Sequence, residues 1–125
     1  GVFSPLTEQL TNFELAQWVG SAQWVLVAPD RLGVLHEVVS TLHAMRSLGR
    51  APDWLILNAP PAPDASTGTN AAELRRLGVT TPLVCLGRDD PSALSALLAG
   101  TSDVEPLAPP TPPSPGLGSP RAPVQ

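Results

Sequence analysis

Three short apolar runs, Gln23–Ala28 (QWVLVA), Trp54–Asn58 (WLILN) and Pro82–Leu86 (PLVCL), constrain the fold more than any other feature. Each is too short for a helix and apolar without alternation, the pattern of a strand buried on both faces of a parallel sheet. Helical periods lie between them. Residues 32–48 place Leu35, Val38, Val39, Leu42 and Met45 on one stripe, and Gly49 stands where a helix-ending glycine belongs. Thr11-Asn12-Phe13-Glu14 is a capping-box pattern for a helix over about 12–19. Asn70 with Glu73 is a second capping pair, for a helix over about 71–77 that Gly78 closes. Asp90 before Pro91 starts a last helix, to about Ala99. The alternation specifies an α/β domain with a parallel sheet flanked by helices and right-handed crossovers. Three strands are few, since doubly wound sheets have about five or more, so an incomplete domain is expected.

The body spans residues 1–100, and residues 101–125 form a Pro-rich tail. From Pro106 to Gln125 eight residues are proline, mixed with Ser, Gly, Ala and Thr. Such a segment cannot bury enough apolar surface to offset its ordering entropy and is expected to be disordered. Its PTPPSP stretch also has the form of a ligand for proline-binding grooves. Hydrophobic content of 42% with a formal net charge of −4 fits a folded soluble body. It argues against a nucleic-acid surface, which needs a basic patch. No apolar run reaches the roughly 18 residues of a membrane span. The single cysteine, Cys85, excludes an internal disulfide, fits a reducing cytoplasm, and reads as a small buried hydrophobe. All seven basic residues are arginine, so this chain offers no P-loop lysine, Schiff base or lysine general base.

In a parallel sheet, ligands bind beyond the carboxyl ends of the strands. That selects the loops 29–35, 58–70 and 87–91. Asp30-Arg31-Leu32-Gly33 ends a strand and opens a helix. Free amides there favour an anion, and Arg31 can grip a carboxylate or phosphate. Equally, Asp30 can cap the helix and leave Arg31 solvated. Asn58 ends its strand with a donor and an acceptor side by side, suited to a base edge or to a plain turn. His36, Ser40, His43 and Ser47 form a polar helix stripe, whose spacing does not suit a metal. No complete catalytic set is present.

These pieces together resemble the C-terminal part of dethiobiotin synthetase. Gly1-Val2-Phe3-Ser4-Pro5-Leu6-Thr7 is similar to the end of that family's EGAGG-x-x-x-P segment. VLVAPDRLGVLHEVVSTLHAMRSLG is similar to its strand, xxLGxxNH turn and following helix, where LTxxALRxxG is typical. WLILNAP resembles its next strand, which ends in Asn, and STGTNAAELRRLG the helix after it. The likeness covers about residues 1–88.

The resemblance implies a partial P-loop-type α/β domain, working as a homodimer. The implied activity is carboxylation of 7,8-diaminopelargonic acid with CO2, ATP and Mg2+, followed by ring closure to dethiobiotin. Gly1, Arg31, Leu32, Gly33 and His36 would then face the substrate, the last four through its carboxylate across a dimer interface. Asn58 would read the adenine edge, and Gly87, Arg88 and Asp89 would lie near the base or ribose. The P-loop lysine, the other catalytic lysine and the Mg2+ ligands would belong to an N-terminal half, so this chain alone is expected to be inactive. Two departures stand out: His36 replaces the family's usual Asn, and GRDDPSALSALL replaces its Gly-x-(Ile/Leu)-Pro continuation. Two other readings share the same strand–turn–helix grammar. One is half of a related enzyme of the cobyrinic acid diamide synthase kind. The other is a catalytically inactive binding or scaffolding module.

Overall fold

The computed structural model describes residues 1–20 and 23–95. Helix α1 spans Asn12–Val19, strand β1 Val25–Pro29, helix α2 Val34–Ser47, strand β2 Trp54–Asn58, helix α3 Asn70–Arg76 and strand β3 Leu83–Leu86. A 3-10 turn over Pro91–Ala93 follows. The strands form one parallel sheet in the order β1-β2-β3. The expected α/β alternation is therefore present. The tail and the last helix beyond residue 95 lie outside the described residues.

Local chemistry sets the helix boundaries. The Thr11 hydroxyl accepts the Glu14 amide, and the Glu14 carboxylate accepts the Thr11 amide at 2.7 Å, so the capping box closes as read. These bonds hold the Glu14 carboxyl below its ordinary range, the backbone bond to Thr11 foremost. At the end of α2 the Gly49 amide donates to Arg46 O and the Arg50 amide to Met45 O. Gly49 sits at φ 76, in the left-handed region that side chains resist. A Cβ there would meet nothing within 4 Å, so the conformation alone carries the cost of substitution. Gly49→Ala is expected to lower the unfolding free energy by about 1 kcal/mol, read from the urea midpoint at constant slope.

Two capping expectations need correction. Asp30 does not cap α2: the cap residue is Gly33, which has no side-chain cap bond, and the Asp30 carboxylate turns elsewhere. Asn70 does not cap α3 either. Thr69 holds that position, while Asn70 is the first helical residue with a buried side chain bonded to Asp30. In both cases a long-range partner outcompetes the local one.

Two successive crossovers in the same direction put α2 and α3 on the same side of the sheet. Leu26, Ala28, Leu55, Leu57 and Leu83 point to that side. There they meet Val34, Val38 and Leu42 of α2 and Ala71 and Leu74 of α3. Leu42, Leu55, Leu57, Leu74, Val34 and Val38 are fully enclosed. The opposite face carries Val25, Val27, Trp54, Ile56, Val84 and Leu86 by strand alternation. There Val25 is 44% and Val27 59% exposed, and Ile56 is sheltered between its register partners Val27 and Val84. β1 is thus not buried on both faces as its apolar run suggested. No helix of the described residues packs over its second face. Cys85 also departs from expectation: it is exposed, at the β3 edge of the sheet.

Before β1, an aromatic string ties the N-terminal segment to the body. Phe3 meets Phe13 at 5.4 Å, Phe13 meets Trp24 edge-on at 5.3 Å, and the Arg50 guanidinium lies 5.0 Å from the Trp24 ring. The Trp24 amide donates to Asp53 at 2.7 Å, locking the starts of β1 and β2 together. A cleft of about 220 Å³ lies here, between Val2, Phe13, Trp24, Met45 and Pro52.

Candidate functional site

Parallel register places Pro29, Asn58 and Leu86 side by side at the carboxyl edge of the sheet. The loops that leave them meet there. The Asp30 amide donates to Asn58 O at 2.8 Å and the Ala59 amide to Leu86 O at 2.9 Å, so each strand end is sewn to the next.

Asp30 is the buried node of this edge, only 6% exposed. Its Oδ2 accepts the Gly68 amide at 2.8 Å and its Oδ1 accepts Asn70 Nδ2 at 2.7 Å. Its backbone carbonyl accepts the Thr67 hydroxyl at 2.9 Å. A buried carboxylate needs such donors to offset its desolvation. Asp64 makes the second bridge: its Oδ2 accepts the Leu32 amide at 2.7 Å, across 32 residues of chain. Its Oδ1 accepts the Ser66 amide at 2.8 Å and the Ser66 hydroxyl at 2.6 Å. The Ser66 hydroxyl above all, then the Leu32 and Ser66 amides, hold the Asp64 carboxyl down at about 2. Its bonds to the ionised form are therefore in full force above about pH 4, the ordinary Asp range, and are lost as the pH falls towards about 2.

The residues nominated from the sequence fall into two groups. Arg31, Leu32, Gly33 and His36 stand together and exposed at the start of α2, with Gly33 at φ 92 to make the turn. Asn58 is exposed beside them on the neighbouring strand, its side chain without a partner among the described residues. Gly87, Arg88 and Asp89 form a tight turn beyond β3, closed by the Asp90 amide on Gly87 O, with Asp89 at φ 60. That turn borders a cavity of about 380 Å³ with Leu86, Asp90 and Leu94. Gly1 is not with them. Its carbonyl accepts Asn12 Nδ2 at 3.0 Å and the Ser4 amide at 3.1 Å, and Val2 beside it lines the cleft before β1. It therefore sits at the opposite end of the strand from the Arg31 turn.

Both anion-gripping groups of the turn already hold acids of this chain. Arg31 Nη2 pairs with Glu37 at 2.9 Å, both side chains 47% exposed, and Nη1 donates to Leu32 O at 3.2 Å. A pair this exposed is worth about 0.5 kcal/mol or less. Asp30, Glu37, Asp64, Asp89 and Asp90 outnumber Arg31 and Arg88 on this edge. Such a lip disfavours a multiply charged triphosphate far more than a single carboxylate placed against Arg31. No three metal-ligating side chains converge among the described residues. Cys85 lies near the node, and its thiol is pushed up by desolvation and then by the Asp30 charge.

Asp64, Thr67 and Gly68 were not singled out from the sequence, and Asn70 was read only as a helix cap. The run DASTGTN does show a local signal, since Asp followed two residues later by Ser is an Asx-turn pattern, and that turn forms. Nothing in it points to Asp30 or Leu32, more than 30 residues away.

Comparison with known proteins bears on this edge. Over 85 residues, 61% of its length, the chain is 46% identical to the ATP-dependent dethiobiotin synthetase BioD of Rhodopirellula baltica. The chain spans about a third of that relative's length, 33%. The likeness to dethiobiotin synthetase read from the sequence is thus present in a curated protein. No protein-family profile and no solved structure matches the chain.

Proposed function

We propose that this chain supplies part of a dethiobiotin synthetase site in biotin synthesis: the turn that faces the diaminopelargonate carboxylate, and the adenine side of the ATP site. The observation that carries the reading is the register pairing of Pro29 with Asn58. It sets the Arg31–His36 turn beside an amide with no partner among the described residues, within a chain 46% identical to such a synthetase over 85 residues.

The residues divide by chemistry. Arg31, the Leu32 and Gly33 amides and the start of α2 bind the carboxylate end of the substrate. His36 stands exposed one turn into the helix and donates to the same group. Asn58 pairs with the adenine edge through its adjacent donor and acceptor. The Gly87–Asp89 turn borders the base.

The triphosphate and Mg2+ do not fit this edge. It is acidic, the chain has no lysine, and no set of metal ligands converges among the described residues. Phosphate and metal binding, CO2 capture and ring closure fall to groups outside this chain, in an N-terminal portion or across a homodimer. The chain alone binds and orients; it does not turn over.

Isothermal titration of diaminopelargonate and of ATP into the chain tests this, alone and with the N-terminal portion of a related synthetase. Binding that Arg31→Ala weakens about tenfold for the substrate, with ATP affinity kept, is the expected result. A folded chain that binds neither ligand in either format would sink the reading and leave the scaffold in front.

A further inference from the structure

We propose that Asp64 is a built-in competitor for the anion turn, so that a ligand carboxylate binds by displacing Asp64 from the Leu32 amide. The inference rests on the reading of Arg31–His36 as a carboxylate site and adds a determinant of its affinity.

The geometry has three parts. The Leu32 amide, at the mouth of a 14-residue helix on a residue 75% exposed, is taken by a carboxylate of the chain itself at 2.7 Å. Arg31, the other group suited to a carboxylate, is likewise taken by Glu37. The turn is therefore self-occupied in the chemistry it would offer a ligand. Asp64 also divides its two oxygens between tasks. Oδ1 is anchored in its own loop by the Ser66 amide and hydroxyl, with the Thr67 hydroxyl at 3.4 Å, while Oδ2 alone reaches Leu32. Oδ2 can leave without loss of the loop's own bonds. The far side of that loop stays fixed, because Gly68 and Asn70 are held by the buried Asp30. Exchange of one carboxylate for another on the same amide keeps the count of charge-assisted bonds, so displacement needs no large rearrangement.

A ligand without a negative charge gains nothing from this exchange. The device therefore favours ligands that bring a carboxylate in good register with Arg31 as well. Weak anions, which offer one contact, do not dislodge Asp64.

The test compares diaminopelargonate with its primary-amide analogue, titrated into the wild-type chain and the Asp64→Asn, Glu37→Gln and Arg31→Ala variants. The N-terminal portion of a related synthetase is present if the chain alone binds neither. The Leu32 amide resonance is followed in the same samples. The expected result is that Asp64→Asn binds the acid about tenfold tighter and the amide analogue unchanged. Glu37→Gln, which leaves the loop untouched, shows a smaller gain of about threefold. In Asp64→Asn the Leu32 resonance shifts upfield when free, and the acid returns it to the wild-type position. If Asp64→Asn binds the acid equally or more weakly while Arg31→Ala abolishes binding, Asp64 is a support of the turn. The same holds if the Leu32 resonance ignores the ligand. The inference then falls and the carboxylate reading stands. If the wild type binds no acid in either format, the carboxylate reading itself falls and takes the inference with it.

Discussion

Leu57→Ala is expected to lower the unfolding free energy by about 3 kcal/mol, and Val27→Ala by less than about 0.5 kcal/mol. The two residues sit on adjacent strands, in adjacent register positions, and face opposite sides of the sheet. Leu57 is 0% exposed between Ala28 and Cys85, under α2 and α3, so its truncation leaves a cavity that the packed helices cannot close. Val27 is 59% exposed, so little of its contact with protein is lost. Urea denaturation of both variants gives the comparison. A domain of this size has about 5–10 kcal/mol in hand, so Leu57→Ala leaves a visibly unfolded fraction at moderate temperature. A Val27→Ala cost close to that of Leu57→Ala would show that the second face is covered in solution. That would overturn the exposed second face of β1.

That contrast also shows what the sequence made legible. The period-3.6 stripe of α2 was read correctly, because Val38, Leu42 and Met45 are buried while His36, Ser40, His43 and Ser47 are exposed. The strands were placed to within a residue or two by length and β-branching. What failed was the inference from a continuous apolar run to burial on both faces. Val25 and Val27 are apolar like any buried strand, but composition does not state which neighbour covers them. Cys85 failed for the same reason, since its place at a sheet edge is a matter of strand order.

The candidate site was legible in its backbone and not in its side-chain network. That ligands gather beyond the strand ends follows from topology, so Arg31, Asn58 and the Gly87 turn could be named together. The partners that shape the turn come from residues 64–70 and carry no period. A polar side chain shows its local options in the sequence, an N-cap or an Asx turn. It does not show a partner brought near by a crossover. Asp30 and Asn70 each looked like a cap of its own helix, and each instead found the other.

The second large effect lies at that pair. Asp30→Ala is expected to cost about 3 kcal/mol, because it strands the Gly68 amide and leaves the buried Asn70 side chain only its longer 3.3 Å bond to the Ser66 hydroxyl. Asp30→Asn should cost only about 1 kcal/mol. Its amide oxygen still accepts the Gly68 N–H, and a turned Asn70 amide accepts its new donor. Asn70→Ala in the Asp30→Ala background removes one of the stranded donors, so the double variant should fall short of the summed single costs by about 1–2 kcal/mol. Strict additivity would mean that the two residues are not coupled and that the node is misread. The same variants separate stability from positioning. Amide exchange in Asp30→Ala should accelerate first at Gly68, which donates to the Asp30 carboxylate, then at Leu32 and Thr67, which donate to Asp64 in the adjoining loop, and least at Leu55 and Leu57 in the sheet centre. A uniform acceleration would assign Asp30 to the core alone. A local one makes it the residue that holds the Arg31–His36 turn beside Asn58, through a carboxylate buried behind that turn.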